Sequence, residues 1–208
     1  MGELQMSETE LLAQILPQPG SVEARAFDAA VECFGEKGFN KVTMADVASA
    51  AGMARSTLYR YFRERDDLII GVVERESILM SLSIYQRIRR FSNIEDYVVE
   101  GVIAALDEME RNSILMRLFS DDSAALAGRI LLSTNRVQEI GVKVLKYIVS
   151  PTELERGLRN DVDGKQIIDW ILRVLVSIKM MPSEYTVSET ACRKLLKDML
   201  LPALVNRP

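Results

Sequence analysis

At 208 residues, 48% of them hydrophobic and 27% charged, the chain has an ordinary globular composition and enough length for one large core or for a small and a larger one. Its net charge of −4 argues, as a total, against a nucleic-acid partner, and the absence of any His removes the commonest general base and the commonest transition-metal ligand. The two cysteines, Cys33 and Cys192, belong to no CxxC pair, so they offer neither a zinc site nor a disulfide framework and suit a reducing cytoplasm.

The start, "MGELQMSETE", is acidic and has no apolar core of a secretory leader. Residues 1–20 close on "LPQPG" and are expected to form a mobile arm. No apolar run approaches the roughly 20 residues of a membrane span, so no membrane partner is expected. From Ser21 the pattern turns helical: Val22, Ala26, Phe27, Ala30, Cys33 and Phe34 recur on one face. Gly35 and Gly38 are expected to end this helix, with Gly38 as a left-handed cap. Thr43 then caps a second helix, and Asp46 answers from its third position as in a capping box. Met44, Val47, Ala48 and Ala51 form its apolar side, and Gly52 breaks it after about two turns.

The next stretch, "AGMARSTLYRYF", places six hydrogen-bond donors (Arg55, Ser56, Thr57, Tyr59, Arg60, Tyr61) within seven positions and no carboxylate among them. Only Leu58 and Phe62, spaced i, i+4, look inward. Between Met53 and Arg65 four arginines stand against one acid, Glu64, so the local charge is +3 inside an acidic chain. Three helices, the last two joined at a glycine, outline a helix-turn-helix. Such a motif lays its second helix in the major groove with the N-terminal residues at base edges. Arg55, Ser56 and Thr57 occupy that end; an Arg there can pair with guanine O6 and N7, and a Thr methyl can meet thymine. Tyr59, Arg60, Tyr61 and Arg65 would flank the groove and hold phosphates, and the Thr43 hydroxyl suits a phosphate oxygen. The competing account, a solvated helix face in an unrelated bundle, explains the exposed charge but not the exclusion of carboxylates.

Further along, "RERDDL" opens a long helix to about residue 90, with Asp66 and Asp67 at its positive end and Leu68, Ile69, Val72, Val73, Leu79, Leu82 and Ile88 along it. Amphipathic stretches follow at about 94–110, 113–119, 123–149, 163–181 and 187–204, broken at "FSN", "SPTE" and "MPSE". With no convincing strand, repeat or low-complexity tract, the fold class is all-α, about nine helices in total. It divides as an arm (1–20), a helix-turn-helix domain (21–67) and a larger helical domain (68–208).

Residues 22–68 closely resemble the DNA-binding domain of the TetR family of bacterial regulators. The resemblance is carried by "AAVECFGEKGFNKVTMADVASAAGMARSTLYRYFRERDDL": the Phe34–Gly38–Phe39 helix end, Thr43, Val47–Ala48, Ala51–Gly52, Leu58–Tyr59, Phe62 and the Asp67–Leu68 exit. It covers under a quarter of the chain. It implies a homodimeric repressor on a palindromic operator in double-stranded DNA, released when a small molecule binds the C-terminal domain. Carried over by position, it makes Thr43 and Tyr59 phosphate contacts, Arg55 and Thr57 base-facing, and Tyr61 and Arg65 further backbone contacts. Two departures stand out: Ala54 replaces a frequent Ser or Thr cap, and Ser56 stands where Gly is frequent.

In "GKQIIDWILRVLVSIKMM" the polar residues Lys165, Asp169, Arg173 and Ser177 recur every four positions, and nearly all the rest is apolar. A helix apolar over most of its circumference needs burial on two sides. Its own domain and a copy of itself would supply both, through Ile167, Ile171, Val174, Leu175 and Ile178 with Leu195 and Met199 of the last helix. A central core helix in a monomer is the competing account; the dimer is favoured because a twofold pair also gives the two half-sites that such DNA readers need. A largely apolar ligand pocket is expected from Met80, Tyr85, Met109, Met116, Phe119 and Trp170, with Arg173 for an anionic group. Nothing supports an enzyme or a cofactor: there is no Gly-rich phosphate loop, no GxSxG and no metal-spaced cluster. The alternatives are a regulator of the same fold with no small-molecule effector, and a helical ligand carrier that does not bind DNA.

Overall fold

The structure, a computed structural model, describes residues 16–118, 157–159 and 161–205, together with Ser123, Leu126, Gly128, Gln138, Glu139 and Val142. The stretch expected as a helix over 123–149 therefore lies mostly outside the described residues, as do residues 1–15 of the expected arm. The described elements are all helical and no strand occurs among them; a single bridge pairs Leu158 with Val205. None of these helices is long and apolar enough to cross a membrane.

The chain divides into two compact units. The first holds the residues up to Ile78 and a later segment beginning at Asn112. Its opening helix α1 (Val22–Lys37) is capped by the Ser21 hydroxyl, which accepts from the Ala24 amide at 3.1 Å. Gly35 sits inside this helix rather than ending it. Gly38 does end it, but at φ 78° and ψ 161°, outside the left-handed helical region, where only glycine is comfortable. Helix α2 (Met44–Ala50) carries the full reciprocal capping box: Thr43 Oγ1 accepts from the Asp46 amide and Asp46 accepts from the Thr43 amide. Helix α3 (Arg55–Tyr61) follows at once, and α4 (Arg65–Ile88) gives its first half to this unit. Asp67 accepts from the Glu64 amide at 3.1 Å and so closes the first turn of α4.

Ala26, Phe27, Ala30, Phe34, Phe39, Val47, Ala48, Leu58, Phe62, Leu68, Ile69, Val72 and Val73 make one buried core. Leu79, expected along the same apolar face, is 43% exposed. A polar network borders this core. Arg75 donates to Asp28 at 2.6 Å and to its neighbour Glu76, and the buried Glu76 accepts from Asn112 at 2.8 Å. Asn112 in turn caps α6 (Ser113–Leu118) by accepting from the amides of Ile114 and Leu115, both at 3.0 Å.

The second unit holds the rest of α4, α5 (Ile94–Arg111), α7 (Gly164–Met180), α8 (Glu189–Leu195) and α9 (Leu201–Leu204). Asn93, Asp163 and Ser188 cap α5, α7 and α8 in turn. The expected final helix over 187–204 is interrupted: Leu196–Leu200 winds as a π-helix between α8 and α9. Pro202 supplies the reason, because it has no N–H to give to the carbonyl four residues back and its ring crowds that carbonyl. The core here joins Val99, Val102 and Ile103 of α5 to Ile167 and Leu175 of α7 and to Cys192, Leu196, Leu200 and Leu204. Arg193 clamps Glu100 through two bonds, of 2.7 and 3.0 Å, and holds that carboxyl below the usual range. Burial raises the thiols of Cys33 and Cys192, so both behave as small apolar side chains and not as reactive ones.

Gly71 lets α4 approach α1: a Cβ there would stand 2.6 Å from Cζ of Phe27, whose ring is backed by Phe62 at 5.5 Å. Gly71→Ala should therefore lower stability by about 1–3 kcal/mol despite the better helix propensity of alanine, read as a drop of several degrees in Tm.

Candidate nucleic-acid interface

Helix α3 has seven residues and no side-chain cap at Ala54, so its own chemistry cannot sustain it. It is anchored from beneath: Leu58 is fully buried and Phe62 nearly so. The turn before it follows the rules of a glycine C-cap. Gly52, at φ 61°, donates to Ser49 O at 3.1 Å, and Met53 donates to Ala48 O at 3.0 Å, the two bonds of a Schellman motif. Any side chain at 52 would be strained at that φ.

With the apolar edge turned in, the donors face out. Arg55, Ser56, Arg60 and Arg63 are exposed, Tyr59 and Tyr61 are exposed by 51% and 42%, and Thr57 is half-buried. The Arg60 guanidinium lies 5.6 Å from the centre of the Tyr61 ring. Thus the six donors expected from "ARSTLYRY" share one short element, five of them exposed, and no acid is on that helix.

Thr43 is exposed at the head of α2, but its hydroxyl is already engaged, donating to Asp46 Oδ2 at 2.6 Å. Asp46 also accepts from Lys37 at 3.2 Å. The hydrogen bonds from the Thr43 hydroxyl and amide, and then from Lys37, lower the Asp46 carboxyl to about 2. Any phosphate reaching Thr43 must share it with this carboxylate or draw on Lys37.

Arg65 departs from expectation. Its Nε donates to Val42 O at 2.9 Å and its Nη2 donates to Phe39 O, so the side chain is folded onto the loop before α2 and only half-exposed. Sequence reasoning missed Arg25 altogether. From α1 its Nη2 donates to Ala51 O at 2.7 Å and Gly52 O at 3.3 Å, on the turn between α2 and α3. No local pattern marks a contact across 26 residues.

The residues expected in a pocket are divided between the two units. Met116 belongs to the first unit and Met80, Tyr85, Met109, Trp170 and Arg173 to the second, while Phe119 lies outside the described residues. Met109 is buried, Met80 and Tyr85 are half-buried, and Met116 is exposed. Trp170 is 47% exposed, which is the surface and not a cavity wall. Arg173 is exposed too and bonded to Asp169 at 2.6 Å, the outward ion pair of a helix surface. Of the residues expected to face a second copy, Ile167 and Leu175 are instead buried in their own unit. Ile171, Val174, Ile178 and Leu195 are half-buried, and Met199 is 71% exposed.

Residues 26–72 match the family model described as bacterial regulatory proteins, tetR family. An uncharacterised HTH-type transcriptional regulator of Mycobacterium tuberculosis is 24% identical over 180 residues, covering 86% of this chain and 83% of its own length. Among solved structures, the TetR family repressor AlkX of Dietzia sp. is 24% identical, with a TM-score of 0.62 over 90% of this chain and 97% of that one. The fatty acid degradation regulator FadR of Bacillus halodurans is 18% identical, with a TM-score of 0.57 over 89% of this chain and 97% of its own. At these identities the two structures are alike in fold.

Asp46 gives this site a pH signature. Its carboxyl falls from an ordinary 3.8 to about 2 on folding, so the stabilisation it contributes is full above about pH 4 and is lost as pH falls towards 2. Asp46→Asn should melt below the wild type at neutral pH, and the gap should close between about pH 4 and pH 2 in paired thermal melts.

Proposed function

Because this chain belongs to the TetR family of bacterial transcriptional regulators, we propose that it acts as a homodimeric repressor on a palindromic operator. In this reading α3 enters the major groove and a small, largely apolar ligand in the second unit releases the DNA. The observation that carries the DNA reading is the outer surface of α3: exposed donors, two arginines and no carboxylate on the helix, held by Leu58 and Phe62. Arg55, Ser56 and Thr57, at the N-terminal end of α3, read base edges. Tyr59, Arg60, Tyr61 and Thr43 hold the phosphate backbone on either side.

A reader of two half-sites needs two copies related by a twofold axis. The surface proposed for that contact is the half-exposed side of α7 with the last helix: Ile171, Val174, Ile178, Leu195 and Met199, rimmed by Trp170. Ile167 and Leu175 support it from below instead of touching the partner. Large apolar side chains left this exposed favour a covering surface.

Selection from a random duplex pool at about 150 mM salt, where non-specific phosphate binding is suppressed, should enrich a palindrome; recovery of no sequence overturns the reading. Arg55→Ala should cost about 1–3 kcal/mol and relax preference at one base position, whereas Tyr59→Phe should weaken all sequences alike. Identical effects of the two would refute the division into base and phosphate roles. In light scattering the protein should weigh twice 23.4 kDa, and emission of its only tryptophan, Trp170, should shift red on dilution to monomer. A 23.4 kDa species at micromolar concentration would overturn the dimer. A thermal-shift screen of apolar compounds tests the effector, since a ligand of the folded state raises Tm.

A further inference from the structure

We propose that Arg65 and Arg25 are positioning residues for DNA recognition, two guanidinium clamps that bracket α2 and so fix where α3 stands. The proposal rests on the reading of α3 as the DNA-reading helix. It departs from the expectation that Arg65 is a phosphate contact.

Helix α2 lies between the loop from Gly38 to Thr43 and the Gly52 turn, and α3 begins at Arg55, three residues after Gly52. Each end of α2 is held from a different helix. Arg65, the first residue of α4, reaches back to the entering loop and donates to Val42 O at 2.9 Å through Nε and to Phe39 O through Nη2. The side chains of those two residues are buried, and Phe39 packs on Phe34 at 4.9 Å, so the carbonyls it grips are themselves fixed. At the other end Arg25, from α1, donates to Ala51 O at 2.7 Å and Gly52 O at 3.3 Å. The Ala51 carbonyl is one of the orphan acceptors that every helix end leaves without an intrahelical donor, and the Gly52 carbonyl lies one residue beyond it. A guanidinium bonded to them is a charge-assisted partner sitting at the negative end of the helix.

The two grips differ chemically. Arg65 uses two nitrogens of a rigid planar fork on two carbonyls three residues apart, which a lysine ammonium cannot reproduce. Arg25 places one nitrogen between two adjacent carbonyls. With these donors spent on backbone carbonyls, Arg65 half-buried and Arg25 at the surface, neither side chain has its full fork left for a phosphate. A slack grip at either end would let α3 tilt on Leu58 and Phe62, and the base-facing residues at its N-terminus would move most.

The test uses the full-length protein, the duplex that the wild type enriches, and a random-sequence duplex of equal length. Arg65→Lys, Arg65→Met and Arg25→Met should each weaken the enriched duplex about tenfold, with wild-type affinity for the random duplex and a wild-type slope of affinity on salt. Circular dichroism and Tm confirm that each variant is folded at the assay temperature. In the DNA-free protein, amide exchange should quicken at Asn40–Thr43 in the Arg65 variants and at Met53–Thr57 in Arg25→Met. Wild-type binding by Arg65→Lys, with a salt slope lowered by about one in Arg65→Met, would make Arg65 a phosphate contact and overturn the proposal. Unchanged amide exchange would overturn the clamps whatever DNA does. A wild-type protein that enriches no duplex fails one step earlier, in the DNA reading itself.

Discussion

A seven-residue helix with no side-chain cap cannot persist in water, because nucleation fixes several residues for each hydrogen bond gained. The existence of α3 therefore depends on burial of Leu58 and Phe62 against the core that α1 and the first half of α4 provide. Two inward positions separated by one turn are the fewest that define an edge, and they leave the rest of the surface free of packing duty. That freedom allows a run of arginines, tyrosines and small hydroxyl residues to be presented on a fixed axis. A longer apolar edge would have stabilised the helix more and left fewer positions for donors.

Close approach of backbone to side chain recurs around this anchor. Gly71 admits the Phe27 ring to the surface of α4, and Phe27 touches Phe62, so the glycine bears on the residue that closes α3. The polar border of the same unit, Asp28–Arg75–Glu76–Asn112, joins α1, α4 and the cap of α6. A buried carboxylate such as Glu76 is costly unless its acceptors are filled; here Arg75 and Asn112 fill them. Such a network tolerates substitution poorly at any one member, because each leaves its partners unsatisfied.

In the second unit the same logic is applied with aliphatic residues. Helix α7 buries Ile167 and Leu175 fully and leaves Ile171, Val174 and Ile178 half-covered, while Asp169 and Arg173 neutralise each other on the outside. The final segment packs on α5 despite the π-helical turn that Pro202 imposes, since Leu196, Leu200, Leu201 and Leu204 still reach the core across it. The extra residue per turn re-aims the side chains instead of ending the helix.

Local chemistry was legible in the residues alone: the Thr43–Asp46 capping box, the Gly52 turn, the helical periods and the single-sign composition of α3 follow from rules that act within a few positions. The family was legible for the same reason, since its signatures are packed into one contiguous stretch. Gly38 caps α1 at the positive φ expected of it, but its ψ of 161° leaves the left-handed helical well, and the helix end expected at Gly35 failed, because a glycine permits several conformations and its neighbours choose among them. Side-chain direction over long separations was not legible. Arg25 and Arg65 carry the same guanidinium as Arg55, yet carbonyls 23 to 26 residues away decide that they fold back onto the backbone. Likewise Ile167 and Trp170 are both apolar positions on one helix, and only packing buries the first and leaves the second in water. The sequence by itself determined an all-α framework of the TetR kind and the carboxylate-free donors of α3. Tertiary structure alone decided which arginines are free, because that depends on which backbone acceptors the fold brings within hydrogen-bond reach.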